Sequence, residues 1–226
     1  MADLYHVLNR GVDKRKIFMD DKDYLRFIHD LFEFNDEQKV VDSSYYFNIR
    51  DVRRHEMSNT ERRPRKLLVD VLAFCLMPNH YHLLLSARVK NGISLFMKKL
   101  NGGYVKYFNA RHERTGTLFE RRYKSVAIGS QAHFIHLPYY IHLNPLDLFA
   151  PEWRAGELKN YKGSIKFLDA YRWSSHLDYL GEPNFPSLTN RDFLLEIFGG
   201  EKGYRKKISE YLKDLNLARV KGFTLE

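Results

Sequence analysis

The chain has 226 residues, with 37 Lys plus Arg against 28 Asp plus Glu, a formal net charge of +9 and a sequence pI near 9.4. A hydrophobic share of 44% supports a packed core, and a single cysteine, Cys75, excludes an intrachain disulfide framework. The absence of a basic-then-apolar leader and of any long apolar run predicts a cytoplasmic protein without a membrane partner, and the positive field favours polyanions such as nucleic acid.

LYHVLNRG, residues 4–11, predicts a strand ended by glycine. Asp20 or Asp21 then opens a helix through DYLRFIHDLFEFN, where Leu25, Ile28, Leu31 and Phe32 keep the helical period. Residues 35–66 are polar and irregular and read as a surface loop with a basic cluster, Arg53, Arg54, Arg62, Arg63, Arg65 and Lys66. LLVDVLAFCLMPNHYHLLLSA then predicts a hairpin turned at Met-Pro-Asn, and a helix follows from about Ser94 to Arg111. A further strand is expected in TGTLFERRYKSVAI and a helix over 132–144, ended by Pro145. The order β-α-β-β-α-β-α predicts an α+β fold with a ferredoxin-like antiparallel sheet and helices packed on one face. Beyond residue 150 short helical pieces predict a C-terminal helical appendage, in which Trp173 packs and Ser174-Ser175 caps.

The segment MPNHYHLLL carries the first chemical signal. Alternation along a strand puts His80 and His82 on one face, where two imidazoles can hold one cation. With ten histidines in the chain, such a pair arises by chance about 0.4 times, so on the pair alone two core histidines are the stronger reading. In HFIHLPYYIHLNP, Tyr140 and Asn144 stand four apart on one helix face, whereas Tyr139 shares its face with Leu143. Tyr140 is therefore either a nucleophile or a hydroxyl bonded in a core. His133, His136 and His142 read as structural, and Cys75 as inert. Pro138, two residues before Tyr140, is expected to kink the helix or mark its start.

Taken in order, MPNHYHLLL, GGYVKYFNARHERTGTLFERRYKSV, YYIHLNPLD and YRWSSH resemble the Y1 transposase family of HUH nucleases, in its REP-associated, IS200/IS605-type branch. The resemblance spans about residues 4–180. It implies a catalytic domain over 1–150, with 35–66 as a loop insertion, and a mostly helical extension over 151–226. By the same resemblance His80, His82 and Asn144 are the metal ligands for Mg²⁺ or Mn²⁺ and Tyr140 is the nucleophile. The implied activity is nicking and joining of single-stranded DNA at hairpins through a 5′-phosphotyrosine. Lys98, Lys99, Tyr104, Lys106, Tyr107, Arg111, Arg114, Arg121, Arg122 and Lys124 are the expected DNA-binding residues, basic side chains interleaved with rings. A monomer is expected over a homodimer. The competing readings are a hairpin-binding protein that does not cut and a metal-dependent nuclease that uses water.

Overall fold

A computed structural model describes residues 4–38, 64–129 and 131–214. β1 (Leu4–Arg10), β2 (Val69–Met77), β3 (His80–Ala87) and β4 (Lys124–Ala127) form one sheet in the order β2-β3-β1-β4, antiparallel at every pairing. The hairpin between β2 and β3 turns on Pro78 and Asn79. The Pro78 carbonyl accepts from the amides of Ile17 (2.8 Å) and Phe18 (3.1 Å), which ties the turn to the segment leaving β1. A register shift between Val71 and Ala73 lets β2 keep apolar side chains on both faces.

The predicted element order holds, with α1 (Asp21–Glu33), α2 (Gly92–Arg111) and α3 (Gln131–Leu143). The Asp20 carboxylate accepts from the amides of Lys22 and Asp23, capping α1. α2 runs unbroken through Gly102-Gly103, because it crosses Phe34 so closely that a Cβ at Gly103 would lie 2.2 Å from the ring. The fourth strand is shorter than the alternation predicts. Its basic lead-in passes the end of the sheet instead, joined by a Gly11–Phe119 bridge and the Glu120 amide on the Arg10 carbonyl (2.9 Å). α3 continues through Pro138, and the chain then tightens into a 3₁₀ helix over Asn144–Leu148, whose first turn needs no amide from Pro145.

The α+β fold with its antiparallel sheet is as expected, but helices cover both faces rather than one. On one face Val7, Tyr81, Leu83 and Leu85 pack with α1 and α2. On the other, Ala73, Cys75 and Leu84 pack with α3 and with α4 (Tyr161–Ala170), α5 (His176–Tyr179), α6 (Asp192–Phe198) and α7 (Gly200–Asp214). The reason is compositional: α3 is apolar all round, so it needs cover on both sides. Cys75 is buried in this second core.

The segment around Trp173 lies along the open edge of β2. The Leu76 amide donates to the Trp173 carbonyl (2.8 Å) and the Ser175 amide to the Phe74 carbonyl (3.0 Å), so the edge is paired. Trp173 stacks on Tyr24 at 4.5 Å and belongs to the α1–α2 core. Ser175 does not cap α5. Its hydroxyl accepts from the Phe74 amide (2.9 Å) and meets His142 Nε2 (2.7 Å). His142 Nδ1 in turn meets the Tyr204 hydroxyl, which meets His176, which meets Asp169.

Burial holds the His142 imidazole well below the usual histidine range, so it is neutral in the fold. The unfolded chain binds a proton here below about pH 6.5 and the folded chain does not. Stability is therefore complete above that pH and falls as the pH drops through it, by up to about 1.4 kcal/mol per pH unit. Urea melts across this range are expected to give that slope, and His142→Gln to flatten it.

Among the described residues no helix is long and apolar enough to cross a membrane. Arg53, Arg54, Arg62 and Arg63 lie outside the described residues. Arg65 donates to the Phe32 carbonyl (2.7 Å) and covers the Phe32 ring.

Candidate active site

His80 and His82 do share a sheet face, the one covered by α3. The β1 register pairs Leu8 with His82 and His6 with Leu84, which brings His6 onto the same face. The rings of His80 and His82 lie 4.9 Å apart between centroids. α3 crosses this face with the Tyr140 ring 6.2 Å from His82 and 6.4 Å from His6. The sequence-predicted histidines and tyrosine thus converge in a single chain. Tyr139 points away, packing on Phe198 and Tyr204.

Hydrogen bonds fix how the imidazoles are presented. His80 Nδ1 lies 2.7 Å from Asn79 Oδ1. An amide oxygen only accepts, so Nδ1 carries the proton and Nε2 is a lone pair. His82 Nδ1 lies 2.9 Å from His6 Nε2. With the proton of that bond on His82, its Nε2 is a lone pair as well. Both Nε2 atoms are buried. Partners that set tautomer and ring orientation in this way are the usual companions of metal-binding histidines. Two imidazole nitrogens on one sheet face are donors of a kind that suits a divalent ion with open positions.

Tyr140 and Asn144 meet a residue that sequence reasoning missed. Arg154, on the 3₁₀ helix Pro151–Ala155, donates through Nη1 to the Tyr140 hydroxyl and through Nη2 to Asn144 Oδ1 (2.7 Å). The Asn144 amide nitrogen donates to the Tyr140 carbonyl (2.9 Å), so the side chain is held at both ends. Asp147 fixes the guanidinium, accepting from Nε at 2.9 Å and Nη2 at 2.8 Å, and is itself held by Trp153 Nε1 at 2.6 Å. Asn79 and Asp147 lie within the MPNHYHLLL and YYIHLNPLD stretches, but His6 and Arg154 lie outside every motif, and only the strand register and the fold-back after Pro145 bring those two to the site.

The expected DNA-binding residues divide. Tyr104 is fully buried and donates to the Ile17 carbonyl, so it cannot stack on a base. Tyr107 donates to Asp23 and lies under Arg26. Arg111 is spent on Asp20 and Asp23, and it holds the Asp20 carboxyl down to about 2. Lys99 caps the carbonyls of Asp36, Glu37 and Gln38, and Arg114 bonds Asn109 and Thr117. These five belong to internal structure: the stripe of α2 that carries Lys99, Tyr104, Tyr107 and Arg111 faces α1 and its flanking loops, and Arg114, just past α2, bonds back to the end of that helix. Lys98, Lys106, Arg121 and Arg122 are exposed. Lys124 is half-buried and pairs with Leu8 on the histidine face. Arg10 is opposite His80 in the β1–β3 ladder, so the 120–124 segment bonded to Arg10 runs past the His80 end of the sheet.

Residues 45–144 match the family described as transposase IS200-like, a stretch that contains His80, His82, Tyr140 and Asn144. No curated protein matches the sequence. Among solved structures, a REP-associated tyrosine transposase bound to a REP hairpin matches over 82% of this chain and 82% of that chain, at 14% identity and a TM-score of 0.47. The histidine pair and the helix-borne tyrosine that meet on one sheet face all lie within residues 45–144, the stretch over which the chain is similar to the IS200-like transposase family.

Proposed function

We propose that the protein is a metal-dependent nicking and joining enzyme for single-stranded DNA, acting beside hairpins through a 5′-phosphotyrosine at residue 140. The observation that carries this reading is the convergence of Tyr140 on the His80–His82 face, 6.2 Å between the His82 and Tyr140 rings. His80, His82 and Asn144 would hold Mg²⁺ or Mn²⁺. When bound, such an ion neutralises a phosphate oxygen and orients the phosphorus for in-line displacement.

The chain's own residues do the rest. Tyr140 supplies the oxygen that attacks phosphorus, and α3, wedged between sheet and C-terminal helices, fixes its direction. The buried surroundings exclude water from that oxygen, which favours strand transfer over hydrolysis. The phosphotyrosine conserves the energy of the ester, so a second 3′-hydroxyl can reverse the step and join strands without a nucleotide cofactor. Exposed Lys98, Lys106, Arg121 and Arg122 supply a phosphate-binding rim, with Lys124 nearest the histidines. Histidines and tyrosine from one chain support a monomeric enzyme.

The test is a denaturing gel of purified protein with labelled single-stranded hairpin DNA and Mg²⁺ or Mn²⁺. A covalent complex is expected with the ion and none after chelation, and the labelled peptide is expected to contain Tyr140. Cleavage without a complex would instead support water as nucleophile, and binding without cleavage a protein that only holds the hairpin.

A further inference from the structure

The geometry points to Arg154 as a further catalytic residue, the cation that receives the scissile phosphate at Tyr140; this rests on Tyr140 being the nucleophile. Tyr140 and Asn144 are almost wholly buried, whereas the Arg154 side chain keeps 27% of its surface in solvent. Its Nη1 already touches the phenol oxygen. A phosphate that reaches this oxygen therefore arrives against the Nη1 end of the guanidinium. Asp147 holds Nε and Nη2, and Asn144 Oδ1 also accepts from Nη2, so the group is set with Nη1 at Tyr140 before DNA arrives.

In the step itself the phenol oxygen forms the bond to phosphorus and its proton goes to solvent. The bond from phosphorus to the 3′ oxygen breaks, and that oxygen leaves with the electron pair and takes a proton from solvent. Negative charge accumulates on the non-bridging oxygens as the bonds exchange. A fixed cation within hydrogen-bond reach of the attacking oxygen is placed to offset it. After the step the same guanidinium faces the phosphotyrosine diester.

The experiment measures single-turnover formation of the covalent complex by wild type, Arg154→Ala, Arg154→Lys and Tyr140→Phe. The DNA carries either the normal phosphate or an uncharged methylphosphonate at the cleaved position. On the phosphate, Arg154→Ala is expected to lose about 100-fold or more in rate, and Arg154→Lys to recover part of it. On the methylphosphonate, with no charge to neutralise, Arg154→Ala is expected within about threefold of wild type. Circular dichroism and hairpin affinity are the controls for folding and binding. An equal loss on both substrates makes Arg154 structural only, no loss makes it a bystander, and a gain makes it a restraint on Tyr140; each overturns the proposal. A complex that persists in Tyr140→Phe overturns the nucleophile assignment and the proposal with it, and is told apart from failure of the proposal alone by that variant.

Discussion

Tyr140→Phe protein, given the same ion and hairpin DNA, is expected to yield no covalent complex and to lose at least about a thousandfold in strand cleavage. The substitution removes one oxygen and leaves the ring in place against His82, His6 and Trp153. Its structural cost is the hydrogen bond from the Arg154 cation, at most about 1.5–3 kcal/mol, and that guanidinium keeps Asn144 and Asp147 as acceptors. The fold should therefore survive and hairpin affinity stay close to wild type, as fluorescence anisotropy and a thermal melt would check. Cleavage retained near the wild-type rate in a folded Tyr140→Phe protein would remove the tyrosine from the chemistry and leave the histidine pair as a water-activating site.

Ending the chain at residue 150 is expected to leave no cooperative unfolding transition. The C-terminal segment reads from the sequence as an extension, yet the fold uses it in both cores. Trp173 and Phe185 lie in the core against α1 and α2. Trp153, Leu168, Tyr179, Leu194, Phe198, Tyr204 and Ile208 lie in the core against α3. Each large apolar side chain removed from burial forfeits about 1.5–3 kcal/mol, so the loss exceeds the roughly 5–15 kcal/mol by which a domain is stable. The truncation also uncovers the edge of β2 and deletes Arg154. A denaturant titration followed by tryptophan-independent circular dichroism decides the matter: a sharp two-state curve for residues 1–150 would mean that the second face can close without the later helices.

Local signals served well where the cause of structure is local. The Asp20 cap, the period of α1, the Pro78-Asn79 turn and the alternation through His80 and His82 were all legible, because each depends on residues within a turn or a strand of one another. Helix spacing also separated Tyr140 from Tyr139, and the structure does send the two rings to different surroundings. The same logic misled for the DNA-binding residues. Interleaved Lys, Arg and Tyr on α2 suggest a basic, ring-bearing surface, but Tyr104 faces the core at the spacing of Leu100 and Phe108, and Arg111 finds two carboxylates, at the cap and in the first turn of α1.

The sequence by itself determined the chemistry on offer: a pleat-spaced histidine pair, a tyrosine and an asparagine on one helix face, and a positive field for an anionic partner. Only the tertiary structure decided which groups hold those residues in place. His6 reaches His82 across a strand register 76 residues apart in sequence, and Arg154 reaches Tyr140 because the chain folds back after Pro145. Neither pairing leaves a trace in local periodicity, since side-chain spacing governs contacts within an element while the meeting of elements is set by burying apolar faces of the whole fold.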